Sequence, residues 1–307
     1  MIQELIYTSA VKGVRPGSSG YCTVAHTRGM NPAMIRMLES LSAYSGNNNG
    51  SLRTADAPTA IISHWRVITG HETVSILSSV TAVEGEHTGR DNKLAHHFVF
   101  SAGDRPMCGP AKIAEQSIFE NQWRKAPTLL EPRHSSAMDN LASDTDSDNY
   151  GGNWEQLTGD AGWAGYPVHC FNQNDKRPLY LVYETGMNIL PLIRESLNLI
   201  PPAKRWLVSF STWFVSSPAG VSCLWRGCPA AAWQPQERNS SFNTALILDL
   251  TKPLGEPPPC REVQAARGEA PPPPTPAANR KTSLQSKAGD TVKVQNTTEK
   301  PKLRLRR

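Results

Sequence analysis

The sequence predicts an α+β fold: mixed, mostly antiparallel sheets with a few packing helices, followed by a disordered C-terminal tail. Three observations lead there. Short β-rich runs recur between Leu5 and Leu250 and mix irregularly with two amphipathic helices, without the steady βαβ alternation of a doubly wound sheet. Clusters of Gly, Pro, Asn and Ser separate those runs. From Pro257 the chain turns Pro-rich and then Lys/Arg-rich, a composition that cannot bury a core.

The elements follow in order. LIYTSA, from Leu5, reads as a strand, KGVRPGSSG as a loop and YCTVAHT as a second strand. Asn31 suits an N-cap and Pro32 the first helical position. Met34, Met37, Leu38 and Leu41 then recur at helical spacing, and the helix is expected to end near Tyr44, before SGNNNGS. AIISHWRVI and TVSILSSVTAV flank Thr-Gly-His-Glu, which predicts a hairpin, and HHFVF is a further strand. Pro132 to Asn153, with its DTDSD patch, reads as a linker or disordered loop.

LYLVYET is a strand. Asn188 to Ile200 is a helix with Ile189, Leu192, Ile193 and Leu197 on one face, stopped by Pro201-Pro202. WLVSFSTWFV, GVSCLW and TALILDL are strands. The expected organisation is an α+β half over 1–131, a linker over 132–153, a second α+β half packed on the first over 154–254, and a disordered tail over 255–307.

Charge separates the same parts. Residues 1–260 carry a net charge of −2, with 21 Lys and Arg against 23 Asp and Glu. Residues 261–307 carry 11 against 4, a net of +7. The sequence pI of 8.9 therefore belongs to the tail. Its 280–307 stretch would attract nucleic acid or an anionic surface, and its proline runs would suit a polyproline groove. Trp206 to Trp225 holds six Ser or Thr and one Pro in 20 residues, too polar for a transmembrane segment. Six scattered cysteines, no CxxC and no secretory leader point to the cytoplasm.

The densest polar stretch is TGRDNKLAHHFVF, Thr88 to Phe100. On a strand His96 and His97 face opposite ways, so they cannot share a metal. Arg90, Asp91, Asn92, Lys93, His96 and His97 are candidate binding residues for a carboxylate or phosphate. Against this stands a structural reading, in which Asp91, Asn92 and the histidines satisfy backbone groups at a sheet end. A histidine acting as acid or base beside Asp91, with Cys22 as nucleophile, is the enzymatic alternative.

Arg15, Ser18 and Ser19 of GVRPGSSG are secondary candidates for an anion, but no GxxxxGK[ST] occurs and a strand follows the glycines. Arg226 beside Trp225 is a candidate stacking or anion-binding pair. Cys223 and Cys228, five apart, point to opposite faces if they share a strand without a turn at Gly227. Asp160 is expected to cap a short helix carrying Trp163 into the core. No metal, cofactor or catalytic residue is expected.

Taken together, IYTSAVKGVRPGSSGYCTVAHTRGM, TGRDNKLAHHFVF, TGDAGWAG, IPPAKRWLVSFSTWF and PAGVSCLWRG resemble the type 2 N-terminal domain of bacterial GTPase-associated protein 1, over residues 4–251. The resemblance implies a component of NTP-dependent conflict or signalling systems, encoded beside GTPases and effector modules. It implies no enzymatic activity, and here only the Pro-rich basic tail follows. The expected function is a non-catalytic adaptor or sensor that binds a partner, such as a GTPase or other NTPase or an effector encoded nearby. The alternatives are a hydrolase or peptidase-like enzyme using His96 or His97 with Cys22, and a scaffold tethered by its tail.

Overall fold

Short runs rich in β-branched and aromatic residues set the strands, several buried on both faces, and pairing joins them into one sheet. The computed structural model describes residues 1–42, 60–70, 72–83, 92–116, 118–138, 152–173, 177–214, 216, 220–233 and 245–269. The strands are β1 (Gln3–Ala10), β2 (Gly20–Thr27), β3 (Ala60–Thr69), β4 (Glu72–Val83), β5 (Asn92–Phe100), β6 (Thr128–Leu130), β7 (Leu179–Tyr183), β8 (Phe210–Ser211), β9 (Trp225–Pro229) and β10 (Leu246–Asp249). They lie in the order β10-β7-β9-β8-β3-β4-β5-β1-β2-β6.

The expected hairpin is β3–β4, paired from Ala60↔Thr81 to Thr69↔Glu72. β4, β5, β1 and β2 continue it antiparallel, whereas β8, β9, β7 and β10 run parallel to one another. A mixed α+β architecture is thus present, in a single sheet.

The two regimes meet where β3 pairs antiparallel with β8, Ser63 opposite Ser211 and His64 opposite Phe210. Among the described residues of WLVSFSTWFV, only Phe210 and Ser211 form a strand. Local side-chain bonds then divert the backbone: Ser211 Oγ donates to the Trp213 carbonyl and Thr212 Oγ1 accepts from the Ile62 amide. GVSCLW likewise becomes a strand only at Trp225, although Ser222 makes an isolated antiparallel bridge to Arg66 on β3.

The sheet is covered on both faces. On one, Leu77, Phe98, Phe100, Leu179, Leu181 and Phe210 meet α2 (Pro110–Glu115), α3 (Gly152–Thr158), α4 (Gly165–Asn172) and α5 (Leu190–Asn198). On the other, Trp65, Val67, Ile76 and Val99 meet α1 (Pro32–Leu41). The Asn31 side chain accepts from the Ala33 amide and Pro32 opens α1, as expected. The helix stops at Leu41, earlier than expected, because Ser42 caps it and is itself held from the sheet.

The second amphipathic helix, α5, buries Leu192, Ile193 and Leu197 and precedes the short α6 (Pro202–Arg205). Its Glu195 carboxylate accepts from the Asn153 and Trp154 amides, capping α3 from outside. Asp160 caps the single turn Ala161–Ala164, and Trp163 is buried, both as expected.

Two expected boundaries shift. The linker expected from residue 132 begins as packed structure: Arg133 bridges to Ile2 through the backbone and Met138 is buried. The tail expected from residue 255 is instead ordered through 269. There α7 (Arg261–Ala266) buries Val263 and Ala266 against α4 and the Ala161–Ala164 turn. Proline composition misleads here because two apolar contacts and the Arg267–Asp160 ion pair hold the segment. Residues 139–151 and 270–307, with the DTDSD patch and the basic stretch 280–307, lie outside the described residues.

Candidate functional site

β5 is bracketed by β4 and β1, so its side chains alternate between the two cores. His96 and His97 do face opposite ways, and both are 0 % exposed. They are therefore not the water-facing donors expected of a recognition surface. Each is occupied by groups of its own domain.

His96 Nδ1 accepts from the Glu120 amide at 2.9 Å, which leaves the ring proton on Nε2 to be donated to Glu4 Oε2 at 3.2 Å. Arg133 grips the same carboxylate with Nε at 2.9 Å and Nη2 at 3.0 Å. Burial works against the Glu4 charge, but the bonds from His96 and Arg133 outweigh it and hold the carboxyl below its usual range. Burial likewise lowers His96, despite Glu4 beside it. Phe98 and Phe119 close the ring in.

On the other face, Ser42 Oγ donates to the Leu38 carbonyl, so it accepts from His97 Nε2 at 2.8 Å, and Ser78 Oγ donates to Nδ1 at 2.7 Å. Burial pushes His97 down to about 3, and the ring stays neutral. His97 thus ties the end of α1 to β4 and β5.

Arg90 and Asp91 lie outside the described residues. Asn92 is half-buried, and its side-chain oxygen accepts from the Lys93 and Ser9 amides. Lys93 holds its ammonium 5.4 Å from the Tyr21 ring centre, and burial lowers its pKa. Tyr21, 45 % exposed, stacks on Tyr7. Lys12, Arg15 and Ser19 are exposed on the neighbouring loop.

That loop is closed on itself. The Gly13 amide donates to the Ser18 carbonyl, and the Ser18 amide and hydroxyl both donate to the Arg15 carbonyl. A Cβ on Gly13 would fall 2.4 Å from Ser18 Oγ and 2.9 Å from the Thr23 carbonyl, so no side chain fits there. The Gly13, Val14 and Ser18 amides are thereby committed to backbone carbonyls and not offered to an anion.

The remaining expectations resolve structurally. Arg226 stacks on Phe214 at 4.3 Å and on Tyr180, not on Trp225, and donates to the Cys223 carbonyl and the Tyr180 hydroxyl. Cys223 and Cys228 share one core cluster because Cys223 precedes the strand, so strand alternation does not apply to it. Burial raises them to about 12 and about 11, and they are unbridged. Cys22 sits on β2 with β1 between it and β5, about 10 Å across two strand spacings. Burial raises its thiol too, so it and the histidines form no catalytic pair.

Glu4, Arg133, Ser42 and Ser78 were not singled out from the sequence. Glu4 alone gave a signal, an acid inside a β-rich run. Among the described residues, His169, Cys260 and Glu262 gather with ligand atoms within 4.8 Å of one another and could hold a cation. Glu262 is already committed there to His169 Nδ1 at 3.1 Å and Asn172 at 2.8 Å, which ties α7 to α4. No helix among the described residues is long and apolar enough to cross a membrane.

Comparison with known proteins divides the chain at the same place as the sheet. Residues 1–135 match GTPase-associated protein 1, N-terminal domain type 2, and residues 153–252 match the middle domain of the same protein. The resemblance read over 4–251 as one N-terminal domain is thereby corrected, since a further family domain follows the first. No curated protein and no solved structure matches the chain. Residues 1–135 are thus a type 2 N-terminal domain of the GTPase-associated protein 1 kind, joined through one sheet to a middle domain of the same kind over residues 153–252.

Proposed function

We propose that the protein is a non-catalytic adaptor or sensor in a bacterial GTPase-associated conflict or signalling system, and that it binds a GTPase or other NTPase encoded nearby. The observation that carries this reading is the sealing of His96 and His97. Both are neutral, buried and engaged with their own domain, so the richest catalytic constellation in the sequence serves the fold. The family assignment supplies the GTPase connection.

The recognition surface is the sheet end where the loop before β2 meets the start of β5. Lys12, Arg15, Ser19 and Tyr21 are exposed there, with Lys93 and Asn92 beside them. An exposed aromatic flanked by cations suits an acidic protein surface. The test is co-purification with the neighbour-encoded NTPase, followed by calorimetry. Arg15→Glu combined with Lys93→Glu should weaken binding at least about tenfold while the melting temperature stays within a few degrees. Unchanged affinity would remove this surface from the proposal, and no co-purifying NTPase would remove the adaptor reading.

A further inference from the structure

Buried polar atoms are nearly always paired, so orphans gathered in one place are informative. Four of them cluster at the seam between the two family domains: His64 Nε2, Arg66 Nε, Ser75 Oγ and Arg105 Nε are buried and lack a hydrogen-bond partner.

Pairing and contacts place them together. His64 and Arg66 are two apart on β3 and so share a face, and Ser75 is the cross-strand partner of Arg66 on β4. Arg105 follows β5 and donates through Nη2 to the Thr73 carbonyl, two residues from Ser75. The middle domain closes the other side. Val208 accepts from His64 Nδ1 at 2.7 Å, and Arg66 Nη1 reaches the Leu207 carbonyl at 3.4 Å. With Nδ1 donating, His64 Nε2 carries a lone pair.

The charges are unbalanced. The bonds of Arg66 and Arg105 go to backbone carbonyls, and among the described residues neither arginine is ion-paired with a carboxylate. Each lies close enough to disfavour protonation of His64, and Arg66 acts on Arg105 in the same way, although burial is the larger cause in both cases. Such a pair beside three idle donors, two Nε–H and one hydroxyl, matches an oxyanion carrying one to two negative charges. The idle lone pair on His64 suits a P–OH proton, which a phosphate can offer and a carboxylate cannot.

We propose that Arg66, Arg105, Ser75 and His64 form a binding site for a phosphate monoester at the junction of the N-terminal and middle domains. The two guanidinium groups neutralise the phosphate, Ser75 donates to it, and His64 Nε2 accepts a hydrogen bond from the P–OH of the monoanion. Since Leu207 and Val208 belong to the middle domain, occupancy tightens the seam. This site is independent of the partner-binding surface proposed above.

The test uses the full chain with inorganic phosphate, phosphoserine, a nucleoside 5′-monophosphate and acetate, read by phosphorus NMR line broadening and calorimetry. Phosphate should bind and acetate should not. Arg66→Gln and Arg105→Gln should each weaken phosphate binding about tenfold or more, whereas Arg28→Gln, at an exposed arginine paired with Glu131, should leave it unchanged. The phosphoserine and nucleotide arms distinguish a modified protein from a small metabolite as the source. Nitrogen NMR of the imidazoles supplies a second readout in the unmutated protein: His64 should shift on phosphate addition while His97 stays still. Equal binding of acetate, unaffected binding in both arginine variants, or a silent His64 would each overturn the site.

Discussion

Ser63 Oγ on β3 donates to Ser211 Oγ on β8 at 2.8 Å, across the line where the N-terminal domain meets the middle domain. Thr212 and Ile62 bond reciprocally beside it, and the His64 imidazole reaches the Val208 carbonyl. The domains therefore share backbone pairing, and β3 is a central strand only while β8 is present. A chain ending at residue 138 would leave β3 as a bare edge, exposing His64 and its apolar neighbours. It should be insoluble or melt well below the full protein, as seen by size exclusion and circular dichroism. A soluble 1–138 fragment melting within a few degrees of the full chain would show that the seam is dispensable.

His97 is a clasp between helix and sheet. His97→Ala removes a filled ring and strands the Ser78 and Ser42 hydroxyls in a closed core. The expected cost is about 2–4 kcal/mol by urea denaturation. A cost below about 1 kcal/mol, or loss of partner binding without loss of stability, would contradict the structural role.

The alternation of β5 was legible in the sequence, because a strand must place His96 and His97 on opposite faces. The Asn31 and Asp160 caps were legible for a similar reason, since a cap acts within three residues of itself. What each histidine meets was not legible. Glu4 and Arg133 reach His96 through the β1–β5 register and the Ile2–Arg133 bridge, and Ser42 reaches His97 through helix docking. Such partners are set by pairing distant in sequence. The parallel arrangement of β7 to β10 was hidden likewise, because short apolar runs do not reveal the direction of their neighbours.

Acid should unfold this protein by way of its buried histidines. His64 and His97 are held down to about 3 by burial, against an ordinary value of 6.5. The unfolded chain takes up protons first, so their stabilisation is full above about pH 6.5 and falls as pH drops toward 3. Each removes up to about 1.4 kcal/mol per pH unit in that window. His96 is shifted the same way by burial. Glu4, held despite burial below the ordinary glutamate value of 4.5 by its bonds to His96 and Arg133, adds its own loss only as pH falls below that value. From pH 7.5 to 5.0, urea titration should show a loss of about 2–4 kcal/mol. A flat profile would mean that the rings are hydrated or already charged.

The Glu4–Arg133 pair should show an asymmetry. Arg133→Met leaves a buried carboxylate facing His96, while Glu4→Gln keeps an acceptor and leaves the Arg133 side chain, 44 % exposed, with access to water. Exposure on the arginine side reduces the penalty from the several kcal/mol of a closed pair to about 1–3 kcal/mol for Arg133→Met, with a smaller loss for Glu4→Gln. Equal losses would indicate that the pair is solvated on both sides.

Gly165 decides whether the last helix docks. Its backbone is not in the left-handed region, so the constraint is contact alone. A Cβ there would lie 2.2 Å from the Glu262 carbonyl oxygen and 2.5 Å from the Val263 amide nitrogen, both main-chain atoms that cannot rotate away. Gly165→Ala must therefore push α7 off α4, uncovering Val263 and straining the His169–Glu262 and Asp160–Arg267 pairs. Hydrogen exchange over 261–269 should rise markedly while the β3–β4–β5 strands stay protected. Melting should fall by several degrees, in line with the 1–3 kcal/mol typical of overpacking. Unchanged exchange in that segment would show that the α4–α7 approach is looser in solution than the contact at Gly165 requires.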